Sequence, residues 1–269
     1  MRRSDVNVSR AVAVLSLSLL GSASLESIAL GSTAPVLFGA KFGHDYGGCL
    51  GASIAGGIDL DGDEVPDFLV AEPNTCPGGT FNSGSVLAYS GRTGTQLYEV
   101  TSNGDDDFGA SVAAIDDLDG DGVSDFAVGS PQSGAYSGSL LVYSGKTGSL
   151  LYRLDGGGGN VPTGSFGFSI AGLHDVDGDG MGDFLVGAPE SQDGLGNVTG
   201  AVALVSGASG LLLRTIEGSK SRLRFGWAVA AAGDLSGDGI EDFLVGATSF
   251  SSSDTSAVYA ISGSSGAIL

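Results

Sequence analysis

The stretch from Asp117 to Pro131 reads DLDGDGVSDFAVGSP, in which alternating aspartates lead directly into a short apolar segment. Three close copies of it occur in the chain: DLDGDEVPDFLVAEP from Asp59, DVDGDGMGDFLVGAP from Asp175 and DLSGDGIEDFLVGAT from Asp234. The four starts are separated by 58, 58 and 59 residues. A regular period of this length indicates a repeat architecture, so the repeating unit is identified before any single strand is assigned.

Two further blocks accompany every copy. An apolar residue followed by glycine begins nine residues before each first aspartate, and a block of the type GSVLAYSGRTG follows each apolar segment, with a short apolar segment after it. Each repeat therefore contains four short strands joined by glycine-rich turns, and helical spacing is absent outside the N-terminus. The apolar-glycine pairs are Leu50-Gly51, Phe108-Gly109, Phe166-Gly167 and Phe225-Gly226, and the fourth strands are 96–98, 150–152, 211–213 and 267–269.

This pattern predicts an all-β fold, a β-propeller built from four four-stranded blades. Runs such as Phe184-Leu185-Val186 are apolar on both faces, as expected of strands that neighbouring blades cover on both sides. A β-helix would have a much shorter repeat, and a sandwich would not repeat its loops. We expect the blades at about 42–98, 108–154, 166–216 and 225–269.

Composition and net charge exclude several classes of protein and partner. The chain has 269 residues, of which 48 are glycines without a triplet period, and 42% are apolar, so collagen and a disordered chain are both excluded. A formal charge of -20, from 31 acids against 11 bases, argues against nucleic acid as a partner. The acids are therefore solvated surface residues or cation ligands.

The N-terminus has the features of an export signal. Met1-Arg2-Arg3 and Arg10 precede a mostly apolar run and a tail of small residues, which together predict a signal peptide and short linker over residues 1–29. A buried N-terminal strand or helix is the alternative. No other segment is long and apolar enough for a transmembrane anchor, so we expect a secreted or cell-surface protein. In that setting Cys49 and Cys76 are predicted to form a disulfide, with free buried thiols as the alternative.

The aspartate loops are candidate calcium sites. In the first three copies carboxylates occupy positions 1, 3, 5 and 9 of a nine-residue loop, and position 7 can offer its carbonyl. Calcium takes 6–8 oxygen ligands in a flexible shell. The alternative is a solvated Asp-Gly turn, and it is stronger for the fourth copy, where Ser236 replaces an aspartate. An EF-hand does not fit, because position 12 is valine where that loop needs glutamate. The predicted ligands are Asp59, Asp61, Asp63, Val65, Asp67, Asp117, Asp119, Asp121, Val123, Asp125, Asp175, Asp177, Asp179, Met181, Asp183, Asp234, Ser236, Asp238, Ile240 and Asp242.

The chain resembles a known family over about residues 36–269. The Phe-Gly pairs together with Gly187-Ala188-Pro189, Gly129-Ser130-Pro131 and Ala71-Glu72-Pro73 are similar to FG-GAP repeats, the blades of the integrin α-subunit propeller and of many bacterial surface proteins. The copies depart from the pattern at Leu50 and at Gly246-Ala247-Thr248. The resemblance implies calcium in the same loops. It also implies a seven-bladed ring, so four copies predict an open or incomplete ring that needs further blades or a partner chain, with a compact four-bladed ring as the alternative.

We expect a binding module rather than an enzyme, serving adhesion or protein or glycan binding through loops at the blade ends. His174 precedes Asp175, but no G-x-S-x-G turn accompanies it, and we expect it to lie beside the calcium loop. Trp227 is expected in the core or on the rim rather than as a sugar platform. The alternatives are a hydrolase or lyase acting in a central channel, and a structural spacer of a larger surface protein.

Overall fold

The computed structural model describes residues 49–73, 84–102, 107–251 and 254–269. The predicted signal peptide and Cys76 lie outside these residues. Within the described part the strands are β1 Ile54–Ile58, β2 Asp67–Glu72, β3 Ser85–Tyr89, β4 Gln96–Thr101, β5 Ser111–Ala114, β6 Phe126–Ser130, β7 Ser139–Tyr143, β8 Leu150–Asp155, β9 Ser169–Leu173, β10 Asp183–Ala188, β11 Ala201–Val205, β12 Leu212–Glu217, β13 Phe225–Gly233, β14 Asp242–Ala247 and β15 Ala257–Ile261. One four-residue helix, α1 Ser133–Tyr136, lies between β6 and β7.

The strands form four antiparallel sheets, one for each sequence repeat. Their orders are β1-β2-β3-β4, β5-β6-β7-β8, β9-β10-β11-β12 and β13-β14-β15. The segment 267–269, expected as the fourth strand of the last sheet, contributes only an isolated bridge between Ile261 and Ile268. The fold is thus all-β and consists of four blade-like sheets, as the repeat predicted. We call them blades 1 to 4 in chain order.

The second strand of each blade lies at the centre of the packing. All six residues of β10 are buried, and Phe126, Phe184 and Phe243 have no exposed surface. Three apolar clusters lie at the three junctions between successive blades. Since a fully buried large apolar side chain contributes about 1.5–3 kcal/mol, contacts between blades supply much of the stability.

Glycines allow successive blades to approach closely. The N–H of Phe166 in blade 3 donates to the carbonyl of Ser137 in blade 2 at 3.1 Å, and parallel bridges join Gly138 to Phe166 and Gly200 to Phe225. A Cβ placed on the glycine would lie 2.1 to 2.2 Å from the carbonyl oxygen of the phenylalanine in the next blade. No side chain fits there, so the first residue of the GSVLAYSG-type block must be glycine at these junctions. These glycines are Gly84, Gly138 and Gly200.

The blades form an open series. The first strands contact one another in the order β1, β5, β9 and β13. On blade 4, Val258 is 71% exposed, whereas the equivalent Val202 of blade 3 is 0% exposed. Likewise Leu235 is 56% exposed, and the equivalent Leu60 of blade 1 only 3%. Among the described residues nothing covers this outer face of blade 4, which confirms the expectation of an incomplete propeller.

The first blade differs from the last. Ile54 is 50% exposed, but Leu87 and Tyr89 are only 3% and 4% exposed. Exposed apolar surface is therefore concentrated on blade 4. There, Ser256 also stands at the position that glycine occupies in the other three blades.

This difference predicts unequal effects of one substitution. Val202→Thr should lower the free energy of unfolding by about 1–3 kcal/mol, because it places a hydroxyl in a fully buried apolar site. Val258→Thr should change it by less than about 0.5 kcal/mol, because that side chain meets water. Urea unfolding of the two variants checks this. An equal loss in both would mean that the outer face of blade 4 is covered in solution.

Candidate functional site

The aspartate loops connect the first and second strands of each blade, and their first aspartate organises the turn. Asp117 Oδ1 accepts the N–H groups of Gly120 and Asp121 at 2.8 and 3.1 Å, and its Oδ2 accepts the N–H of Gly122 at 2.8 Å. Asp59, Asp175 and Asp234 make the same three contacts. Gly120 and Gly122 have φ of +77° and +86°, the left-handed region that the tight turn requires.

The ninth residue holds the loop to the rest of its blade. Asp125 is 0% exposed, its Oδ2 accepts the N–H of Leu118 at 2.8 Å, and its Oδ1 accepts the N–H of Gly145 at 2.9 Å. Asp67 and Asp183 are bound in the same way. Asp242 accepts the N–H of Ser236, one residue further along its loop, at 2.7 Å and that of Gly263 at 3.0 Å. The position-9 carboxylate therefore connects the start of its own loop to the turn between the third and fourth strands.

Three loops bring carboxylates together. Oxygens from positions 1, 3 and 9 lie within 4.8 Å of one another in blades 1, 2 and 3. Among the described residues the fourth loop does not form such a group, in keeping with Ser236 at position 3. The three groups are Asp59, Asp61 and Asp67; Asp117, Asp119 and Asp125; and Asp175, Asp177 and Asp183.

Position 5 has a different environment. Its Oδ1 accepts the N–H of position 7, as in the 2.9 Å contact from Val123 to Asp121. Its other oxygen faces the turn between the third and fourth strands: Asp63 pairs with Arg92 Nε at 2.6 Å, and Asp179 accepts from Ser206 Oγ at 3.4 Å. In the fourth loop Asp238 accepts from Ser264. The position-5 aspartate is thus drawn toward the neighbouring turn, and the carboxylates that come together are those of positions 1, 3 and 9.

Burial alters the acidity of these groups. The pKa values of Asp67, Asp125 and Asp183 are raised, chiefly because burial disfavours the charged form, with the neighbouring aspartates adding to the effect. Partial burial also acts on Asp117, but N–H donation from Gly122 and Gly120 outweighs it and lowers the pKa. Anionic carboxylates held 4.8 Å or less apart repel one another, and a bound cation would relieve this.

The donor set fits a divalent cation that prefers oxygen ligands. Every candidate side-chain ligand in the three groups is a carboxylate oxygen, the ligand type that Ca²⁺ and Mg²⁺ prefer. The side chains of positions 1, 3 and 9 would hold the ion, and its charge would join the turn to the start of the second strand. The carbonyl oxygens of Val65, Val123, Met181 and Ile240 remain predicted ligands.

Two other predicted features can be placed. Cys49 is disulfide-bonded. The side chain of His174 is 87% exposed, and its Nδ1 lies 3.0 Å from Oε2 of Glu241 in blade 4. His174 thus lies beside the third aspartate loop, as expected, and contacts the next blade.

Sequence reasoning missed an aromatic cluster at the opposite edge of the blades. Phe168 and Trp227 have ring centroids 4.6 Å apart, Phe250 lies 5.1 Å from Trp227, and the guanidinium of Arg224 lies 4.4 Å over the Phe250 ring. Phe168 and Trp227 both directly follow a Phe-Gly pair, a signal that could have linked them. Nothing local marks Phe250. Trp227 therefore lies on the rim, one of the two places expected for it.

Comparison with known families gives the identity of the repeat. The FG-GAP repeat family matches residues 108–143, 166–205 and 225–261, which span most of blades 2, 3 and 4. The chain contains FG-GAP repeats. The three matches begin at the Phe-Gly pairs of Phe108, Phe166 and Phe225, and the Asp groups of blades 2 and 3 fall inside them.

The FG-GAP chain is similar to integrin α subunits. It is 33% identical to integrin alpha-V of Gallus gallus over 149 residues, which cover 53% of this chain and 14% of that protein. It is 42% identical to integrin alpha-IIb of Homo sapiens over 102 residues, covering 36% and 9% of the two proteins. The chain thus resembles the integrin α propeller and spans only a small part of these relatives.

Solved structures with a similar arrangement include Bacillus licheniformis rhamnogalacturonan lyase PL11, with a TM-score of 0.47 and 16% identity over 78% of this chain and 49% of that chain. The Dos1 propeller gives a TM-score of 0.44 and 13% identity over 76% and 43%. Within the described residues no helix is long and apolar enough to cross a membrane.

Proposed function

We propose that this FG-GAP chain is an extracytoplasmic, calcium-stabilised binding module that serves adhesion by holding a protein or glycan ligand. The observation that carries the proposal is the threefold recurrence of carboxylates within 4.8 Å of one another in repeats similar to those of integrin α subunits. The basic, apolar and small-residue N-terminus supports export.

The ligand surface is proposed at the edge opposite the aspartate loops. The strands are antiparallel, so loops between second and third strands, and those leading into first strands, meet at one edge. That edge carries the cluster of Phe168, Trp227 and Phe250, with Phe250 65% exposed. Exposed aromatic side chains are enriched in binding surfaces. The metal would act at the other edge by making the blades rigid.

A binding role without catalysis is part of the proposal. The four first strands read IAGGI, SVAA, SIAGL and FGWAVAAAG, and none contains an ionisable side chain. A hydrolase or lyase acting along these strands would need an acid or base there, and the hydroxyls of Ser111 and Ser169 instead donate to the backbone carbonyls of Gly167 and Gly226. Incubation with neutral and acidic polysaccharides should therefore release no new reducing ends, and their appearance would favour the enzyme.

Calcium should stabilise the chain. Extracellular calcium modules have a Kd of about 10⁻⁴–10⁻³ M, so about 5 mM calcium should contribute roughly 1–2 kcal/mol per occupied site. Thermal unfolding in about 5 mM calcium should therefore lie several degrees above that in EDTA. Asp119→Ala should remove more of this shift than Ser236→Ala, because only Asp119 belongs to a carboxylate group. The same melting temperature in calcium and EDTA would refute calcium binding.

Adhesion itself is tested by binding. Beads that carry the full chain should bind glycan or matrix-protein arrays more strongly in calcium than in EDTA, because loose blades present a less ordered ligand surface. Beads carrying Asp125→Ala should bind weakly in both conditions. Absence of any calcium-dependent binding across both arrays would reject the adhesion role.

A further inference from the structure

Loops of blades 2 and 3 form an open groove of about 400 Å³ at the edge opposite the aspartate loops. Sites for small molecules commonly have volumes of about 300–1,000 Å³. Blade 2 and blade 3 both contribute to its walls, so the groove exists only because the two repeats are docked. Its walls include Asp107, Gln132, Tyr136, Ser165, Phe168 and Glu190.

Backbone strain is concentrated around this groove. Six non-glycine residues in the described part of the chain have positive φ, and three of them line the groove: Asp107 at +57°, Tyr136 at +70° and Ser165 at +63°. Such conformations cost of order 1–3 kcal/mol each and cluster at ligand sites. The carbonyl of Tyr136 accepts the N–H of Ser165 at 2.9 Å, which fixes the loop of blade 2 against blade 3.

The side chain of Tyr136 is largely outside the packing. Its side chain is 66% exposed, and among the described residues no hydrogen bond or ring contact uses it. An exposed aromatic ring on a bulky residue with left-handed φ is unfavourable for folding alone. A role in binding accounts for both features, because the ring offers a flat apolar face and a hydroxyl at the mouth of the groove.

The polar residues of the groove suit hydroxyl groups better than a cation. Asp107 accepts from Gln132 Nε2 at 3.4 Å, and Glu190 Oε1 lies 2.9 Å from Arg224 Nη2, so both carboxylates already have a donor. Each keeps further lone pairs that can accept hydrogen bonds, and Gln132 supplies a carbonyl and an amide. Carboxylates that already have one donor but can accept further hydrogen bonds, next to aromatic faces, match a ligand with hydroxyl groups and apolar C–H faces.

From these features we propose that the groove binds a neutral oligosaccharide, with Tyr136 as a stacking platform and Gln132, Asp107 and Glu190 bonding sugar hydroxyls. The proposal rests on the binding role above and names its ligand class and site. Phe168 connects the groove to Trp227, and Trp227 to Phe250, so an aromatic surface continues from blade 3 to blade 4. This length favours a chain of sugars over a single one.

The test uses the full chain in calcium and a panel of cellotetraose, maltotetraose and chitotetraose, with saturation-transfer NMR and titration as readouts. At least one tetrasaccharide should bind, and Tyr136→Asn and Gln132→Ala should each weaken this binding by at least 10-fold without lowering the melting temperature. Asparagine tolerates the left-handed backbone, so Tyr136→Asn should fold normally. Leu211→Ala is the control, because Leu211 is 67% exposed and lies at the opposite edge; it should bind as the unchanged chain does.

Three outcomes would overturn the groove proposal. One is that none of the tetrasaccharides binds, and another is that binding survives both groove substitutions. The third is that tri-arginine binds in place of the sugars and depends on Tyr136, which would make the groove a cation site. If sugars bind in calcium and the groove variants have no effect, the adhesion role stands and only the groove is wrong. The same conclusion follows if the beads bind the arrays in a calcium-dependent manner but no tetrasaccharide binds the chain.

Discussion

Asp125→Ala is expected to lower the free energy of unfolding by about 2–6 kcal/mol, even without calcium. Asp125 is fully buried, and its two oxygens accept the N–H groups of Leu118 and Gly145. Alanine leaves both donors without these acceptors, and an unsatisfied buried donor costs about 1–3 kcal/mol. Urea unfolding in EDTA measures the loss, and the same experiment in calcium should show a larger one because a metal ligand is also removed.

Asp119→Ala separates the contribution of metal binding from the stability that the loop has without metal. Asp119 is exposed, and its Oδ1 accepts the N–H of Asp121 at 3.1 Å. In EDTA its removal should change stability by less than about 1 kcal/mol, and in calcium it should remove the contribution of that site. If Asp125→Ala were no more harmful than Asp119→Ala in EDTA, the position-9 aspartate would be a metal ligand only.

Gly200→Ala should break the junction between blades 3 and 4. A Cβ at this position would lie 2.2 Å from the carbonyl oxygen of Phe225, so one blade must move away from the other. We expect a loss of about 2–5 kcal/mol, which combines overpacking of about 1–3 kcal/mol with backbone strain of about 1–2 kcal/mol. Limited proteolysis should also release blade 4 faster than in the unchanged chain.

Gly237→Ala is a matched control for this substitution. Its φ is +78° against +76° for Gly200, but no heavy atom lies within 4 Å of its added Cβ. Gly237→Ala should therefore lose only the free energy of backbone strain. The difference in free energy of unfolding between the two variants then measures the steric conflict between blades. Equal losses would mean that blade 4 does not dock against Gly200 in solution.

Local sequence was sufficient for the repeat, the strand order within a blade and the aspartate loops. Strands are short and separated by glycine turns, and each loop closes on side-chain acceptors only a few residues away, as Asp117 does with Gly120 and Gly122. The period of 58 or 59 residues then required every blade to repeat the same contacts. The prediction of an open series also followed from counting the repeats against the family that they resemble.

Tertiary structure decided what depends on contacts between residues far apart in the chain. Asp125 also accepts the N–H of Gly145, which lies 20 residues away in the chain. No local sequence pattern shows that Asp125 connects its loop to this distant turn. The groove and its aromatic rim combine side chains from blades 2, 3 and 4, and Phe250 joins Trp227 from another loop. Val258 and Val202 occupy the same repeat position, yet one is 71% and the other 0% exposed. The repeat determined the face on which each residue lies, whereas its burial depended on whether a neighbouring blade removes that face from water.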